Sequence, residues 1–519
     1  MDPVLLAREL DDFLASARHA LVLEHGEILF DLSDSRYSIT GELDKCLWHL
    51  WSAERNAVRR VVQIERRNGS LRLSVQRFGK GKSGTMEVVA DRERRTPSTQ
   101  RQQRTKYRNL LARALERHAP EWKLTQLTST ADLEHSFSPV YSRGLLRHGN
   151  SAIAVLGVGD DESQASVDGA LTFGLLWLDH CRRREAGRCL VQGLRLCVPS
   201  RRSAVVHSRM HYLDRAGSRF ELFEFDERAG SFESRDISDQ GNIVTRLVRA
   251  PDTTRVHERF AHASEIIRAT VPEMEPVVLS STELAFRLHG LEFARARIAA
   301  SAESFASGEE IVFGSGPHET VLTVESRSLF ENLMLRLREA RKPDGDRRHP
   351  LWRMAPERWL ETEVKRDIAA LDARLDPAHV YAQVPAFAAG DRGMIDLLAA
   401  TRDGQLAVLE LKADEDIHLP LQGLDYWSRV KWHHEREEFQ RFGYFVAETG
   451  NARTLSMQPP LLMLVAPALR VHPTIDVILR YLSREVDWSL IGVDERWRDE
   501  VKVVFRKRRS QAALAGHHT

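Results

Sequence analysis

Cysteine is scarce in this chain: four in 519 residues, at positions 46, 181, 189 and 197. No two form a CxxC pair, and the spacing of Cys181, Cys189 and Cys197 fits no ligand pattern, so a zinc site has no support. Buried free thiols in a reducing cytoplasm are expected instead. Long apolar runs are also missing. The longest, PPLLMLVAPAL from Pro459 to Leu469, falls well short of the ~20 residues a membrane-spanning helix needs. The opening MDPVLLARELDDFLASARHA mixes acidic and basic residues along an amphipathic helix and lacks the pattern of a signal peptide, so a cytoplasmic location is expected. Charge imbalance is absent as well. A net charge of +1 gives no global attraction to nucleic acid or membrane, and any such binding must come from local patches. Neither a GxxxxGKS phosphate loop nor a GxSxG elbow occurs. GKGKSG at Gly79 to Gly84 has the wrong spacing and reads as a hairpin tip. His433 and His434 are adjacent and diverge on a helix, while His349 and His472 precede prolines and read as turns.

What is present is length and an internal echo. A chain of this size exceeds one ordinary core and predicts at least two domains. AVLGVGDDES from Ala154 resembles AVLELKADED from Ala407, 253 residues later. GLRLCVP ending at Pro199 resembles LLMLVAP ending at Pro467, and FELFEFDER from Phe220 resembles WSLIGVDER from Trp488, both at an offset of 268. LVLEHGEILFDL from Leu21 resembles VVLSSTELAFRL from Val277, at 256. Four collinear matches with slowly drifting offsets predict a tandem duplication of one unit.

Each unit would open with a β-rich lead segment and continue into alternating helices and strands, an α/β core. The expected boundaries are 1–95 for the first lead segment with its N-terminal helix and 101–245 for the first α/β domain. The second lead segment would span 255–345 and the second α/β domain 355–508, with a disordered tail over 509–519. Asp91 to Arg108, with seven basic and two acidic residues, reads as a polar linker able to meet phosphates, and Lys342 to Pro350 reads as its counterpart. A helix is predicted around Trp359 to Leu375, on the helical spacing of Leu360, Val364, Ile368 and Leu371. Strands are predicted at Met394 to Arg402 and Gln405 to Lys412, and a long helix from Pro420 towards Phe442.

The chemistry concentrates in RGMIDLLAATRDGQLAVLELKADED, Arg392 to Asp416. Asp396 stands in one strand and Glu410-Leu411-Lys412 in the next, with turn residues RDG between them. In an antiparallel hairpin Asp396 and Glu410 come side by side, and alternation puts Glu410 and Lys412 on one face while Leu411 enters the core. Like charges so placed repel one another unless a cation joins them, and two carboxylates beside an ammonium suit a hard divalent ion such as Mg²⁺.

This D-x(13)-E-x-K arrangement resembles the signature of the PD-(D/E)xK nuclease superfamily. Gln422 and Tyr426 on the following helix give the Q-x-x-x-Y that resembles RecB-type nucleases. Ile395 stands where the family name has proline. The resemblance implies a restriction-endonuclease-like core, a mixed sheet flanked by helices, over Glu361 to Tyr426 and on to about Arg506. It also implies an acid from the preceding helix, for which Glu361 is the first candidate and Glu363 the alternative. Asp396, Glu410, the Leu411 carbonyl and Glu361 would hold Mg²⁺ or Mn²⁺, and Lys412 would orient or help deprotonate a bound water. Gln422 and Tyr426 would hold the site or the substrate backbone. Arg429, Lys431 and Trp432, in YWSRVKWHH, mix cations with an aromatic ring as a nucleic-acid surface does. The first copy places Gly157, Gly159 and Arg143 near the positions of Glu410, Lys412 and Asp396, and would be a degenerate partner. DNA is the expected substrate ahead of RNA, and a non-catalytic nucleic-acid-binding scaffold is the third reading. No membrane contact is expected, and a homodimer or a regulatory protein partner stays open.

Overall fold

The computed structural model describes residues 3–17, 20–24, 27–32, 35–42, 45–51, 56–67, 70–77, 83–90, 97–132, 135–239, 245–300, 307–314, 319–388, 391–446 and 454–509. It is a mixed α/β protein with several sheets. The chain divides into two compact units, residues 1–102 with 313–321, and residues 103–312 with 322–519.

In the first unit an antiparallel seven-stranded sheet spans Ala20 to Ala90. The helix Pro3–Ser16 lies on it because Leu6, Leu10, Phe13 and Leu14 recur at helical spacing and are buried with Trp48 and Leu50. The expected hairpin at GKGKSG has its two strands, Ser70–Arg77 and Ser83–Ala90, while its tip lies outside the described residues. Cys46, Cys181 and Cys197 are buried free thiols and Cys189 is half-buried.

The second unit contains two α/β layers. The first runs α1 (Pro97–His118, within this unit from Gln103), β1 (Lys123–Thr128), β2 (Tyr141–His148), β3 (Ser151–Val158), α2 (Ala170–Arg184), β4 (Leu190–Pro199), α3 (Ala204–His211), β5 (Arg219–Asp226) and β6 (Ser231–Arg235). The second runs β7 (Thr245–Leu247), α4 (Pro356–Arg366), β8 (Leu375–Ala388), β9 (Asp391–Thr401), β10 (Leu406–Leu411), α5 (Leu419–His434), β11 (Leu461–Pro467), α6 (Ile475–Arg480), β12 (Asp487–Val493) and β13 (Val503–Arg508). The sheet orders are β6-β5-β4-β3-β2-β1 and β7-β8-β9-β10-β11-β12-β13. Polarity agrees strand for strand: β3, β4 and β5 are parallel, as are β10, β11 and β12, with antiparallel neighbours on either side. Central parallel strands are covered on both faces, which is why LAVLEL in β10 and LLMLVAP in β11 are buried throughout.

One apolar core joins the layers. Leu171, Leu175 and Leu178 of α2, Leu421, Leu424 and Trp427 of α5, and Ile475 and Ile478 of α6 share it with strand residues from both sheets. At the junction Asp214 N–H donates to the Tyr481 carbonyl (2.8 Å), and Ser483 N–H donates to the Tyr212 carbonyl (2.7 Å). Arg209 of α3 holds Asp425 of α5 through two nitrogens, Nε to Oδ1 at 3.0 Å and Nη2 to Oδ2 at 2.6 Å.

Between the layers in sequence lie helices Thr253–Arg259, Ala261–Thr270 and Arg327–Ala340 and a sheet beginning Glu275–Ser280, Glu283–Leu288 and Leu291–Ala300. This segment fixes the start of α4. The fully buried Arg341 donates to the carbonyls of Leu288, His289, Leu351 and Met354, and its guanidinium lies 4.7 Å from the Trp359 ring centroid.

Three sequence expectations need correction. Residues 97–108 are the start of α1, not a linker. Tyr107, Leu111, Ala114 and Leu115 give that helix its buried stripe, and polar early turns hide it. The long helix from Pro420 stops at His434 and resumes as the single turn Glu438–Arg441, because Glu437 takes a left-handed conformation (φ 53°). His349 is an N-cap, its Nδ1 accepting from Leu351 N–H at 3.2 Å, and opens the short helix Pro350–Arg353.

Removing Asp425 strands a buried guanidinium, so Asp425→Ala is expected to cost about 3 kcal/mol in urea unfolding. Glu331→Ala, which breaks the exposed Arg327–Glu331 pair, is expected to change stability by less than about 1 kcal/mol.

Candidate active site

The antiparallel ladder pairs Leu397 of β9 with Leu409 of β10, which makes Asp396 and Glu410 the next neighbours along it. Leu411 N–H donates to Asp396 Oδ2 at 2.9 Å and fixes that carboxylate against β10. Leu409 and Leu411 enter the core shared with Trp359, Leu360 and Val364 of α4, so Glu410 turns to the α5 side. There Gly423 makes room. A Cβ at that position would lie 2.6 Å from Leu464 Cδ2 and 3.4 Å from Glu410 Cβ, so α5 seats directly on Glu410 only because residue 423 has no side chain. Lys412 Nζ sits 3.3 Å from Glu410 Oε1 and 3.7 Å from Glu357 Oε1, the latter in the first turn of α4.

Burial dominates the electrostatics. Glu410 is only 3% exposed, and burial, then the neighbouring Asp396, push its carboxyl well above the usual range. Asp396 is also raised, chiefly by burial, against the opposing pull of the Leu411 N–H and the Lys412 charge. Burial works against the Lys412 ammonium, but Glu410, Glu357 and Asp396 outweigh it and raise its pKa. Glu361 is pushed up to about 7 by burial, an effect that Arg358 opposes and Asp396 strengthens.

Two acceptors stand out. Glu410 Oε2 and Gln422 Oε1 are buried with no hydrogen-bond partner. A buried carboxylate oxygen without a donor, beside a second carboxylate, suits an oxygen-seeking cation. Among the described residues, no group of three or more His, Cys, Asp and Glu side chains is gathered as a metal cage. The donor set that fits is therefore Asp396 and Glu410, with the remaining positions of a hard ion left to water and substrate oxygens, as suits Mg²⁺.

The structure brings Asp396, Glu410, Leu411 and Lys412 together. It places Gln422 beside Gly423, and Tyr426 against β9, where its Cε1 lies 2.7 Å from the Cβ position of Gly393. Glu361 is buried, but its Oε2 is held by Arg358 Nη1 (2.9 Å) and Gln383 Nε2 (2.5 Å). Glu363 serves elsewhere, accepting from Trp359 Nε1 at 3.1 Å and facing His289 at 3.2 Å. The proposed nucleic-acid residues do not converge on the carboxylates. Arg429 is buried over Tyr426 (5.6 Å), Lys431 pairs with Glu435 (3.0 Å) and faces the Tyr212 ring, and Trp432 is covered by Arg436 at 3.3 Å.

Sequence reading missed Glu357 and Gln383. Glu357 precedes Glu361 by one helical turn in PERWLETEV, so helical spacing could have found it. Gln383 gave no signal. It takes a left-handed conformation (φ 56°) where β8 faces β9, between the pairs Ala382–Leu397 and Val384–Ile395.

The first layer carries no such pair. Arg143 is paired with Leu156, and Gly157 with Cys197, where the second layer pairs Leu411 with Val465. By strand pairing, Arg143, Leu156 and Val158 hold the register positions that Asp396, Glu410 and Lys412 hold in the second layer, one residue before the expected Gly157 and Gly159. Leu156 lies in the shared core, whereas Gly157 packs against Tyr107 and Leu111 of α1. Arg143 is buried over Phe137 (4.7 Å) and donates to the Thr130 and Ser138 carbonyls.

No protein-family model matches the chain, and no curated protein matches it. Among the described residues, no helix is long and apolar enough to cross a membrane.

Raised carboxyl pKa values stabilise the fold below the unfolded value and lose that contribution as pH rises through the folded value. In EDTA, Glu361 therefore contributes a fall of about 3 kcal/mol in unfolding free energy between pH 4.5 and 7, and Glu361→Gln flattens that slope. Glu410→Gln is expected to stabilise the protein at pH 8 without divalent ions. Mg²⁺ or Mn²⁺ at a hundred times its Kd should add about 2.7 kcal/mol to the natural chain and little to that variant, read by urea unfolding.

Proposed function

We propose that this chain is a metal-dependent nuclease that hydrolyses DNA phosphodiester bonds. In this reading the second layer is a restriction-endonuclease-like core of the PD-(D/E)xK type. The first is a degenerate copy of the same unit, kept for substrate or partner binding. The observation that carries the activity is the side-by-side pair Asp396 and Glu410, with Glu410 Oε2 buried and lacking a donor beside the Lys412 ammonium. Duplication is supported by the matching strand orders and polarities. It is also supported by a register that repeats at 268 residues, Gly193–Arg219 against Leu461–Asp487 and Pro199–Phe225 against Pro467–Val493. The reciprocal bonds of Tyr212–Asp214 and Tyr481–Ser483 add to it.

Asp396 and Glu410 would hold Mg²⁺ or Mn²⁺, which when bound polarises a phosphate oxygen and lowers the pKa of a bound water. A cation held between the carboxylates would offset their charge, which burial opposes. Lys412 stays charged at neutral pH because its carboxylate neighbours raise its pKa, so it acts as a donor. It orients the attacking water and offsets charge gathering on the phosphate, and does not remove the proton itself. Glu357 holds the ammonium from the other side. Gln422, next to the Gly423 that packs on Glu410, offers a buried acceptor without a donor for a water or a substrate hydroxyl. DNA is placed ahead of RNA on the resemblance to RecB-type nucleases.

The test is cleavage of single-stranded DNA, duplex DNA and RNA with Mg²⁺ or Mn²⁺, with Lys412→Ala alongside and its fold checked by circular dichroism. DNA cleavage is expected, reduced about 10²–10⁴-fold in the variant. Cleavage of RNA alone transfers the chemistry to RNA. Nucleic-acid binding with no metal-dependent cleavage overturns the enzyme reading in favour of a scaffold.

A further inference from the structure

A second polar site lies at the other end of the second layer. Glu410 is paired with Leu464 in the middle of β11, whereas Leu461, at the start of β11, is paired with Ala407 and Asp487. At that end a cleft of about 950 Å³ opens beside the starts of β11 and β12, lined by Asp214, Trp488, Arg374, Arg484, Arg508 and Arg509 among others. Its walls come from both layers, since Asp214 belongs to the reciprocal bridge with Tyr481. The volume is that of a small-molecule site.

The charge around the cleft is unbalanced. The buried Asp372 behind it takes Arg374 (2.9 Å), Arg508 (3.5 Å) and Arg506 (3.9 Å), so one carboxylate answers three guanidiniums. Asp214 and Asp487 line the cleft itself. Arg509 is spent on the carbonyls of Leu482, Ser483 and Val486. Arg484 has no ion pair among the described residues, and burial lowers the pKa of Arg509. Two buried donors are left without acceptors, Trp488 Nε1, on a side chain 3% exposed, and Arg508 Nε. Unanswered donors beside surplus guanidiniums are what an oxyanion with several acceptor oxygens satisfies.

We propose that this cleft binds a phosphate chain. Arg484 and Arg508 grip its oxygens, and Trp488 supplies an indole N–H. The ligand is a nucleoside polyphosphate or the phosphorylated end of a strand, which share that chemistry. The proposal does not depend on the nuclease reading, because none of its residues belongs to the carboxylate cluster. A ligand here touches both layers and so would couple them.

The experiment is isothermal titration of the full chain with three probes: inorganic tripolyphosphate, ATP, and a 5′-phosphorylated decadeoxynucleotide. Arg484→Glu, Arg508→Gln and the remote, exposed Glu331→Ala are compared, each with its fold checked by circular dichroism. Binding of at least one probe is expected, weakened about tenfold or more by Arg484→Glu and by Arg508→Gln, and unchanged by Glu331→Ala. ATP or tripolyphosphate binding identifies a free phosphate ligand, and binding of the oligonucleotide alone identifies a strand end; either supports the site. No binding of any probe overturns the proposal, as does binding that folded Arg484→Glu and Arg508→Gln leave intact. An equal loss of binding in Glu331→Ala would mark a non-specific effect and equally overturn it.

Discussion

Two carboxyl groups held side by side in a buried place are the constraint from which the second layer is best understood. The ladder between β9 and β10 brings Asp396 next to Glu410, and the Leu411 N–H prevents Asp396 from swinging away. Burial makes each carboxyl resist ionisation, and the charge of Asp396 adds to that at Glu410. A fold that carries such a pair is giving up stability at neutral pH, and the surroundings limit that loss. Lys412 answers both charges, Glu357 steadies Lys412, and the central apolar strands around them supply enough burial to tolerate the strain.

The supporting elements can be ordered by how directly they serve that pair. Gly423 lets α5 close over Glu410, which buries the carboxylate and brings Gln422 with it. Arg341 fixes the entry to α4 by collecting four backbone carbonyls, and so sets where Glu357 and Glu361 emerge. Farther out, the Arg209–Asp425 bond ties α5 to the first layer. The first layer thus acts on the site as a mechanical support, whatever else it binds.

Much of this was legible in the sequence, for identifiable reasons. Period-two alternation in AVLELK and the short RDG turn fix the hairpin and the neighbours across it, because a strand leaves no other choice of face. The apolar runs of β4 and β11 were legible for a related reason: parallel strands covered on both faces are apolar on both faces. Helices were harder. The start of α1 is polar along its first turns, and its buried stripe begins only at Tyr107, so composition pointed to a linker. Glu361 was expected at the carboxylates but is held by Arg358 and Gln383. Gln383 owes its place to a local backbone reversal in β8 that no residue pattern announces. Arg429 and Lys431 were read as available for phosphates, whereas Arg429 is buried against Tyr426 and Lys431 is occupied by Glu435, Glu485 and the Tyr212 ring.

The first layer has the same run of strand polarities and no carboxylate pair at the matching register. With Leu156 and Val158 in the places of Glu410 and Lys412, nothing repels and nothing needs a counterion, and the leucine joins the shared core. Arg143, in the place of Asp396, is the one charged residue of the three. It donates to two carbonyls and lies over the face of Phe137, while its Nε is left without a partner. In the second layer Asp396 and Glu410 stay buried although burial opposes their charge, so packing alone does not account for carboxylates at those positions.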